Sequence, residues 1–203
     1  MSIQLQHQFT TKAHDLVRLF EGVNKMSTFM RRLEDHSTID PARYDPLKYL
    51  GDGFEFFVEL LLALHPVDNR LGVYSYSPVQ VNDNGVDGVG VNILLEPCVV
   101  QVKYRSNTQT SLTATKDSLS NLFSDGMLAH NVVSDNANPK NYRHFVFTTA
   151  DGLHHYTDQE MFKGRVRCVG YNDLRSVVDG NHAFWSKCRE VVAAIVEGQQ
   201  QNN

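Results

Sequence analysis

The stretch VDGVGVNILLEPCVVQVKYR, residues 86–105, predicts two consecutive β-strands and the turn between them. β-Branched valines dominate both halves, and Leu95-Glu96 separates the halves as a short turn signal. A polar turn over residues 82–85 joins an earlier strand to this stretch. The predicted strands of this antiparallel meander are Val73–Val81, Val86–Leu94 and Pro97–Arg105.

Helices are predicted on both sides of the meander. Apolar residues at helical spacing predict two helices within residues 10–36, broken at Gly22. Asp45 and Pro46 are typical of a helix start, and that helix is predicted to run to Leu64. After the meander, helices are predicted at Ser111–Phe123, Thr157–Phe162, Leu174–Val178 and Ala183–Val196, and the first of them can extend to His130. Strands are predicted at Arg143–Thr149 and Arg165–Val169. The alternation predicts an α/β protein.

Length and composition favour one main domain. The chain has 203 residues, of which 41% are hydrophobic and 21% charged, so it can bury a substantial core. We expect an N-terminal helical extension over residues 1–40, a main domain over 41–197 and a flexible polar tail over 198–203. Within the main domain the predicted order is αβββαβ around a central mixed sheet flanked by helices.

Charge and cysteine usage restrict the function classes. The net charge of −4 gives no general attraction for polyanions, so any nucleic-acid binding must be local. The number of cysteines, three, is odd, and no two of them have CxxC spacing. This argues against a disulfide framework and favours a reducing compartment. No apolar run is long enough for a membrane span, so we expect a cytoplasmic protein with no membrane partner.

The long helix carries one narrow polar strip on an otherwise apolar surface. The strip consists of Lys48, Asp52, Glu55 and Glu59. A helix that is apolar nearly all round is usually buried, so these residues line either a solvated edge or a polar site. The helix alone leaves both interpretations open.

The last strand of the meander has the same ambiguity. Its period of two places Gln101, Lys103 and Arg105 on one face, which is also the pattern of an ordinary half-solvated strand. The turn before it brings Asp87 close to Gln101 and Lys103. A carboxylate, an amide and an ammonium group are therefore expected to meet there.

This combination has a chemical use. Mg²⁺ prefers hard oxygen ligands, which Glu55, Asp87, Gln101 and the main-chain carbonyl of Val102 can supply, and Mn²⁺ can substitute for it. Lys103, on the same face as Gln101, can orient or acidify a water for attack on a phosphodiester. The sequence also has no P-loop, GxGxxG or nucleophile-elbow motif. These residues together predict a metal-dependent hydrolase site.

The same motifs resemble the PD-(D/E)XK, or restriction endonuclease-like, nuclease superfamily. Within it the chain is most similar to Mrr-type restriction endonucleases and archaeal Holliday-junction resolvases. The resemblance covers about residues 50–178 and implies a restriction-endonuclease-like core. Its matching stretches are Gly51–Glu55, Gly85–Gly88, Val100–Lys103, Phe145–Thr149, which ends in paired threonines as in the family, and Val169–Leu174.

The resemblance implies a role for each motif residue. Asp87 would be the main metal ligand, Lys103 the catalytic lysine and Glu55 the helix acid, with Glu59 as its alternative. Gln101 stands where most members have glutamate, although Mrr-type members share the glutamine. Val86 replaces the family's proline, and the spacing of the Phe-Glu pair from its glycine differs by one residue. The implied activity is that of a Mg²⁺-dependent endodeoxyribonuclease.

DNA is the implied partner. Arg105, Ser106, Asn107 and Lys116 follow the catalytic strand and suit contacts with backbone phosphates. A homodimer and a fused or associated helicase or other ATPase are further expectations from the family. The alternative is a catalytically inactive nuclease-fold module that binds DNA or a protein partner, with Gln101 marking a decayed metal site.

Overall fold

The computed structural model describes residues 5, 9, 11–42, 44–65, 68–79, 85–115, 119–133, 141–158 and 162–201. It is an α/β protein with a five-stranded mixed sheet flanked by helices, as the sequence predicts. The helices are α1 Ala13–Phe20, α2 Met26–Ser37, α3 Pro46–Leu64, α4 Ser120–His130, α5 Tyr171–Val178 and α6 His182–Gln201. The strands are β1 Val73–Pro78, β2 Gly88–Asn92, β3 Pro97–Lys103, β4 Ser111–Leu112, β5 His144–Thr148, β6 Gly152–Leu153 and β7 Val166–Val169.

The predicted meander is confirmed. The strand order is β1-β2-β3-β5-β7. Strand β2 is antiparallel to both β1 and β3, whereas β3, β5 and β7 are parallel to one another. Gly88 pairs with Val100, and Lys103 pairs with Thr148. The carboxyl ends of three parallel strands therefore meet at one edge of the sheet, and Lys103 is the last residue of β3 at that edge.

The two faces of the sheet contribute to separate apolar cores. The larger core contains Val100, Val102 and Phe147 from the sheet, packed against α1, α2, α3, α5 and α6. The smaller core contains Val99 and Val146 together with Leu122 of α4. Alternate residues of β3 thus point into different cores, as the period of two predicts.

Local signals explain α3 and its polar strip. The Asp45 carboxylate caps the helix by accepting from the backbone N–H of Leu47 and Lys48 at 2.8 and 3.1 Å. At the exposed start of the strip, Lys48 pairs with Asp52 at 2.7 Å. At the other end Glu59 is only 5% exposed. The strip is therefore exposed to solvent at Lys48 and buried at Glu59.

The helix predicted to start at Ser111 instead starts at Ser120. Ser111 and Leu112 form β4, which pairs in parallel with β6, and the Leu112 carbonyl accepts from the N–H of His154 at 2.8 Å. This pairing fixes the segment as extended chain, so the prediction of a helix there was wrong. The stretch to His130 that the sequence left open forms most of α4.

The two ends of the chain join the larger core. Leu16 and Phe20 of α1 and Phe29 of α2 are buried in it, so the predicted N-terminal extension packs on the main domain. The helix α6 runs to Gln201, into the polar tail that begins at Gly198. Within the described residues, none of the helices combines the length and apolar character of a membrane span.

Candidate functional site

Asp87 lies just before β2 and is held against β3. Its backbone N–H donates to the Val100 carbonyl at 2.9 Å, and its carboxylate accepts from the backbone N–H of Val102 at 2.5 Å. Its own carbonyl accepts from the N–H of Val79 at 3.0 Å. The carboxylate therefore lies beside the Gln101–Lys103 segment, as the turn signals predict.

Gly85 brings the entry to β2 against the start of α4. A Cβ atom at this position would clash with Asn121 and come within 2.9 Å of the Leu122 backbone nitrogen. Only glycine permits this approach without a shift of the helix. The first turn of α4 is thus packed two residues away from Asp87.

Gln101 is the most unusual residue of the site. Its side chain is fully buried, and neither its amide oxygen nor its amide nitrogen has a hydrogen-bond partner among the described residues. It pairs with Val146 of β5 on the face covered by α4. Because Gln101 is fully buried, the interpretation of this position as part of a half-solvated strand is excluded. An unsatisfied buried amide costs about 1–3 kcal/mol.

Lys103 ends β3 on the same face as Gln101. Its side chain is half-buried, and its ammonium group forms no hydrogen bond or ion pair with the part of the chain that the structure describes. Its carbonyl accepts from the Thr148 hydroxyl at 2.7 Å and from the Thr149 N–H at 3.3 Å. The backbone of Lys103 is therefore fixed to β5, while its cationic group is available to a ligand.

The main chain of Val102 faces Asp87. Along β3 the backbone groups of Val100 and Val102 are directed toward β2, because both bond with Asp87. A strand residue directs its N–H and C=O to the same side, so the Val102 carbonyl faces the Asp87 side as well. Asp87 is thus in direct contact with the main chain of Val102 at the end of the β2–β3 ladder, and Gln101 is the residue of β3 that precedes Val102.

Glu55 is positioned differently. It lies half-buried on α3, which packs on the opposite face of the sheet from Gln101. Its neighbour Phe54 contacts the ring of Tyr104 with centroids 6.2 Å apart, so Glu55 is level with the end of β3. Glu55 and the fallback residue Glu59 approach the sheet from the α3 side.

Tyr104 separates the site from the larger core. Its hydroxyl donates to the Glu34 carboxylate at 2.7 Å, and burial together with this bond raises the pKa of Tyr104. The tyrosine is therefore neutral at physiological pH and serves as a packing group beside Lys103. It follows the strand alternation, with its ring on the α3 side.

Two buried threonines, which sequence reasoning did not single out as site residues, hold the chain after Lys103. The Thr149 hydroxyl accepts from the N–H of Arg105 at 2.6 Å and donates to its carbonyl at 2.7 Å. The Thr148 hydroxyl donates to the carbonyl of Lys103. The Thr-Thr pair after an apolar strand was the only signal in the sequence, and its function depends on the parallel pairing of β3 with β5.

The predicted DNA-contact residues follow this anchor. Arg105 is half-buried and donates to the Tyr104 carbonyl at 2.6 Å, whereas Ser106 and Asn107 are exposed. The Asn107 side chain accepts from the N–H of Gln109 at 3.0 Å and shapes the turn. Lys116 lies outside the described residues.

The donor set at this edge is mixed. In the described ranges, no three His, Cys, Asp or Glu side chains are grouped as a metal site. The Asp87 carboxylate contacts the main chain of Val102, and the amide of Gln101 and the ammonium group of Lys103 belong to the residues on either side of Val102. No protein-family model matches the chain, and neither does any curated protein or any solved structure.

Proposed function

We propose that this protein is a metal-dependent DNA endonuclease that hydrolyses phosphodiester bonds by water attack, with a restriction-endonuclease-like core. The observation that carries the proposal is the fully buried Gln101 amide without a partner, beside the Asp87 carboxylate and two residues before Lys103. A buried polar group without a partner costs stability, and a bound cation would supply a partner for the amide oxygen.

The residues at this edge fit Mg²⁺ by their chemistry. Asp87, Gln101 and Val102 offer a carboxylate, an amide and a carbonyl oxygen, all of which are hard donors. Glu55, from the α3 side, would complete the set directly or through water. Three or four protein oxygens leave room for waters and for a phosphate, as Mg²⁺ sites usually do. Mn²⁺ suits the same donors.

Lys103 has the central chemical role in the proposal. A bound divalent ion would supply Lewis-acid stabilisation of charge on the phosphoryl oxygens and would acidify water. The Lys103 ammonium group would orient the attacking water and stabilise the charge that develops on the phosphate. A P–O bond would form to the water oxygen as the bond to the leaving sugar oxygen breaks; the attacking water would lose a proton to solvent, and a solvent water would protonate the leaving oxygen.

The segment after Lys103 would hold the DNA backbone. Ser106 and Asn107 are exposed, and Arg105 is anchored by Thr149. Such groups contact phosphates and fix the register of the duplex without reading bases. A second copy of the chain would allow both strands to be cut, and an associated helicase or other ATPase would supply substrate.

The test is cleavage of supercoiled plasmid, linear duplex, single-stranded and four-way-junction DNA in Mg²⁺ or Mn²⁺. Cutting is expected in the wild-type protein and in Asp35→Ala, which removes an exposed carboxylate on α2. It should be lost in Asp87→Ala and in EDTA. Metal-dependent cutting that survives in Asp87→Ala would contradict the assignment of this residue.

One observation favours a second candidate function. Gln101 is neutral, so the site has less negative charge than a two-carboxylate centre would have. A catalytically inactive module of the same fold would bind DNA or a protein partner without metal. DNA binding that is indifferent to EDTA, together with no cutting of the four substrates, would support this alternative.

A further inference from the structure

A polar cleft lies at the same edge of the sheet as Lys103, between the loops that follow β3 and β5 and the helix α5 that follows β7. It encloses about 270 Å³ and is lined by Thr108, Gln109, Asp151, Tyr171, Asn172 and Arg175. This volume is on the scale of one nucleoside. The cleft is separate from the Asp87–Gln101–Lys103 site but follows it along the carboxyl edge of the parallel strands.

Backbone bonds connect the three walls of the cleft. The N–H of Asp151 donates to the Thr110 carbonyl at 3.0 Å, and the N–H of Tyr171 donates to the Ala150 carbonyl at 2.8 Å. Gly170 allows the chain to pass close against the Asp151 carbonyl, where a Cβ atom would clash. The cleft is therefore held in shape by the fold itself.

Its planar groups are suited to stacking. The Arg175 guanidinium group lies 5.5 Å from the centroid of the Tyr171 ring and is held by Asp179 at 3.1 Å. Tyr171 is half-buried and packs on the larger core, which fixes its ring. Bases stack on aromatic rings and on guanidinium planes in single-strand recognition.

Its polar groups favour a base over a phosphate. The Asn172 amide nitrogen donates to the Asp151 carboxylate at 3.2 Å, which orients both side chains. The acceptor oxygens of Asp151 and Asn172 suit an exocyclic amino group, as when a carboxylate accepts from cytosine N4. The Asp151 charge would repel a phosphate, and Arg175 already has a carboxylate partner in Asp179.

We propose that this cleft receives one unpaired, amino-bearing nucleobase of the DNA on which the enzyme acts. The inference rests on the proposed action on DNA. Tyr171 and Arg175 stack on the base, and Asp151 and Asn172 accept hydrogen bonds from its amino group. The enzyme would then favour substrates with a splayed or unpaired nucleotide beside the cut, because such a base is extruded at little cost.

The test is fluorescence anisotropy with short oligo-dC and oligo-dT in EDTA, where no metal-dependent cutting occurs. Cytosine carries the exocyclic amino group and thymine does not, so the wild-type protein should bind oligo-dC about tenfold more tightly. Asp151→Ala should abolish this preference, and Tyr171→Ala should weaken binding of both oligonucleotides about tenfold. Asn24→Ala, an exposed asparagine between α1 and α2, is the matched control and should bind as the wild type does.

Equal wild-type affinity for oligo-dC and oligo-dT, or a preference that survives in Asp151→Ala, would overturn the inference. Cleavage of duplex DNA by the wild-type protein in Mg²⁺, measured in parallel, separates this failure from that of the proposed function. A protein that cuts duplex but shows no base preference is a nuclease without a base pocket. A protein that cuts nothing yet keeps the Asp151-dependent preference has the pocket without the nuclease.

Discussion

The two faces of the central sheet are packed in different ways. The α3 face is covered by five helices around an aromatic cluster in which Phe57 stacks on Phe29 with centroids 4.8 Å apart and on Trp185 at 6.0 Å. The α4 face has a smaller core that includes the buried polar residues Gln101 and His144. Apolar packing is thus more extensive on the α3 side, whereas Gln101, whose buried amide has no partner among the described residues, lies on the α4 side.

This difference indicates that the two faces have different roles, one in stability and the other in activity. A well-packed aromatic core stabilises the fold and holds β3 rigid. The opposite face tolerates unfavourable groups, and buried polar groups kept at a cost to stability are typical of functional sites. Changes to Gln101 and Lys103 on the α4 face should therefore affect activity more than stability, and changes to the apolar core residues of the α3 face should do the reverse.

Lys103→Ala should produce the largest effect. Cleavage should fall by about 10³-fold or more, because the loss of a positioned charge at the phosphate removes several kcal/mol of transition-state stabilisation. The urea midpoint of unfolding should stay close to that of the wild type. The control is Lys187→Ala on α6, which removes an exposed lysine paired with Glu190. A Lys103→Ala protein with full activity would remove the lysine from the mechanism.

Phe57→Ala tests the other face. The side chain is fully buried, so its loss should cost about 3–5 kcal/mol of unfolding free energy by urea titration. Cleavage per folded molecule should be close to normal. Leu47→Ala, at an 80% exposed position on the same helix, should change the unfolding free energy by less than about 0.5 kcal/mol. Similar losses in the two variants would contradict the described packing of α3.

His144 should make the fold sensitive to acid. Burial lowers its pKa from 6.5 to about 4, so between these values the unfolded chain binds a proton that the folded chain does not. Stability is then lost as the pH falls from 6.5 toward 4, by up to about 3 kcal/mol. His144→Leu should show a shallower loss in urea titrations over this range. An unchanged slope would mean that the imidazole is not buried as described.

Gln101→Met should change stability less than Phe57→Ala does, and it should change stability and cleavage in opposite directions. Methionine has a similar shape without the unsatisfied amide, so the fold should gain about 1–2 kcal/mol while cleavage is lost. Unfolding and cleavage are measured on the same preparation. A variant that is less stable and still active would show that the amide is satisfied within the fold and is not a ligand.

Much of this arrangement follows from sequence patterns. The period of two in Pro97–Lys103 gives the face of each side chain, and the turn signals give the meander that brings Asp87 to Gln101. Asp45 and Pro46 give the start of α3. These are local signals, and local signals were sufficient wherever neighbouring segments pair with each other.

The remainder depended on distant contacts. Ser111 and Leu112 have no strand signature of their own and become extended because they pair with residues 152 and 153. Strand alternation places Gln101 on a face but does not say that α4 covers that face, and the start of that helix was predicted nine positions too early. The sequence patterns therefore do not predict the complete burial of Gln101 or the cleft between two loops and α5.

We propose that Asp87, Gln101 and Val102 hold a divalent cation, and Mn²⁺ titration followed by electron paramagnetic resonance measures this binding. A bound Mn²⁺ is expected in the wild-type protein, in Lys103→Ala and in Asp35→Ala, and it should be lost in Asp87→Ala. Mn²⁺ bound equally well by Asp87→Ala, or no Mn²⁺ bound by the wild-type protein, would contradict it.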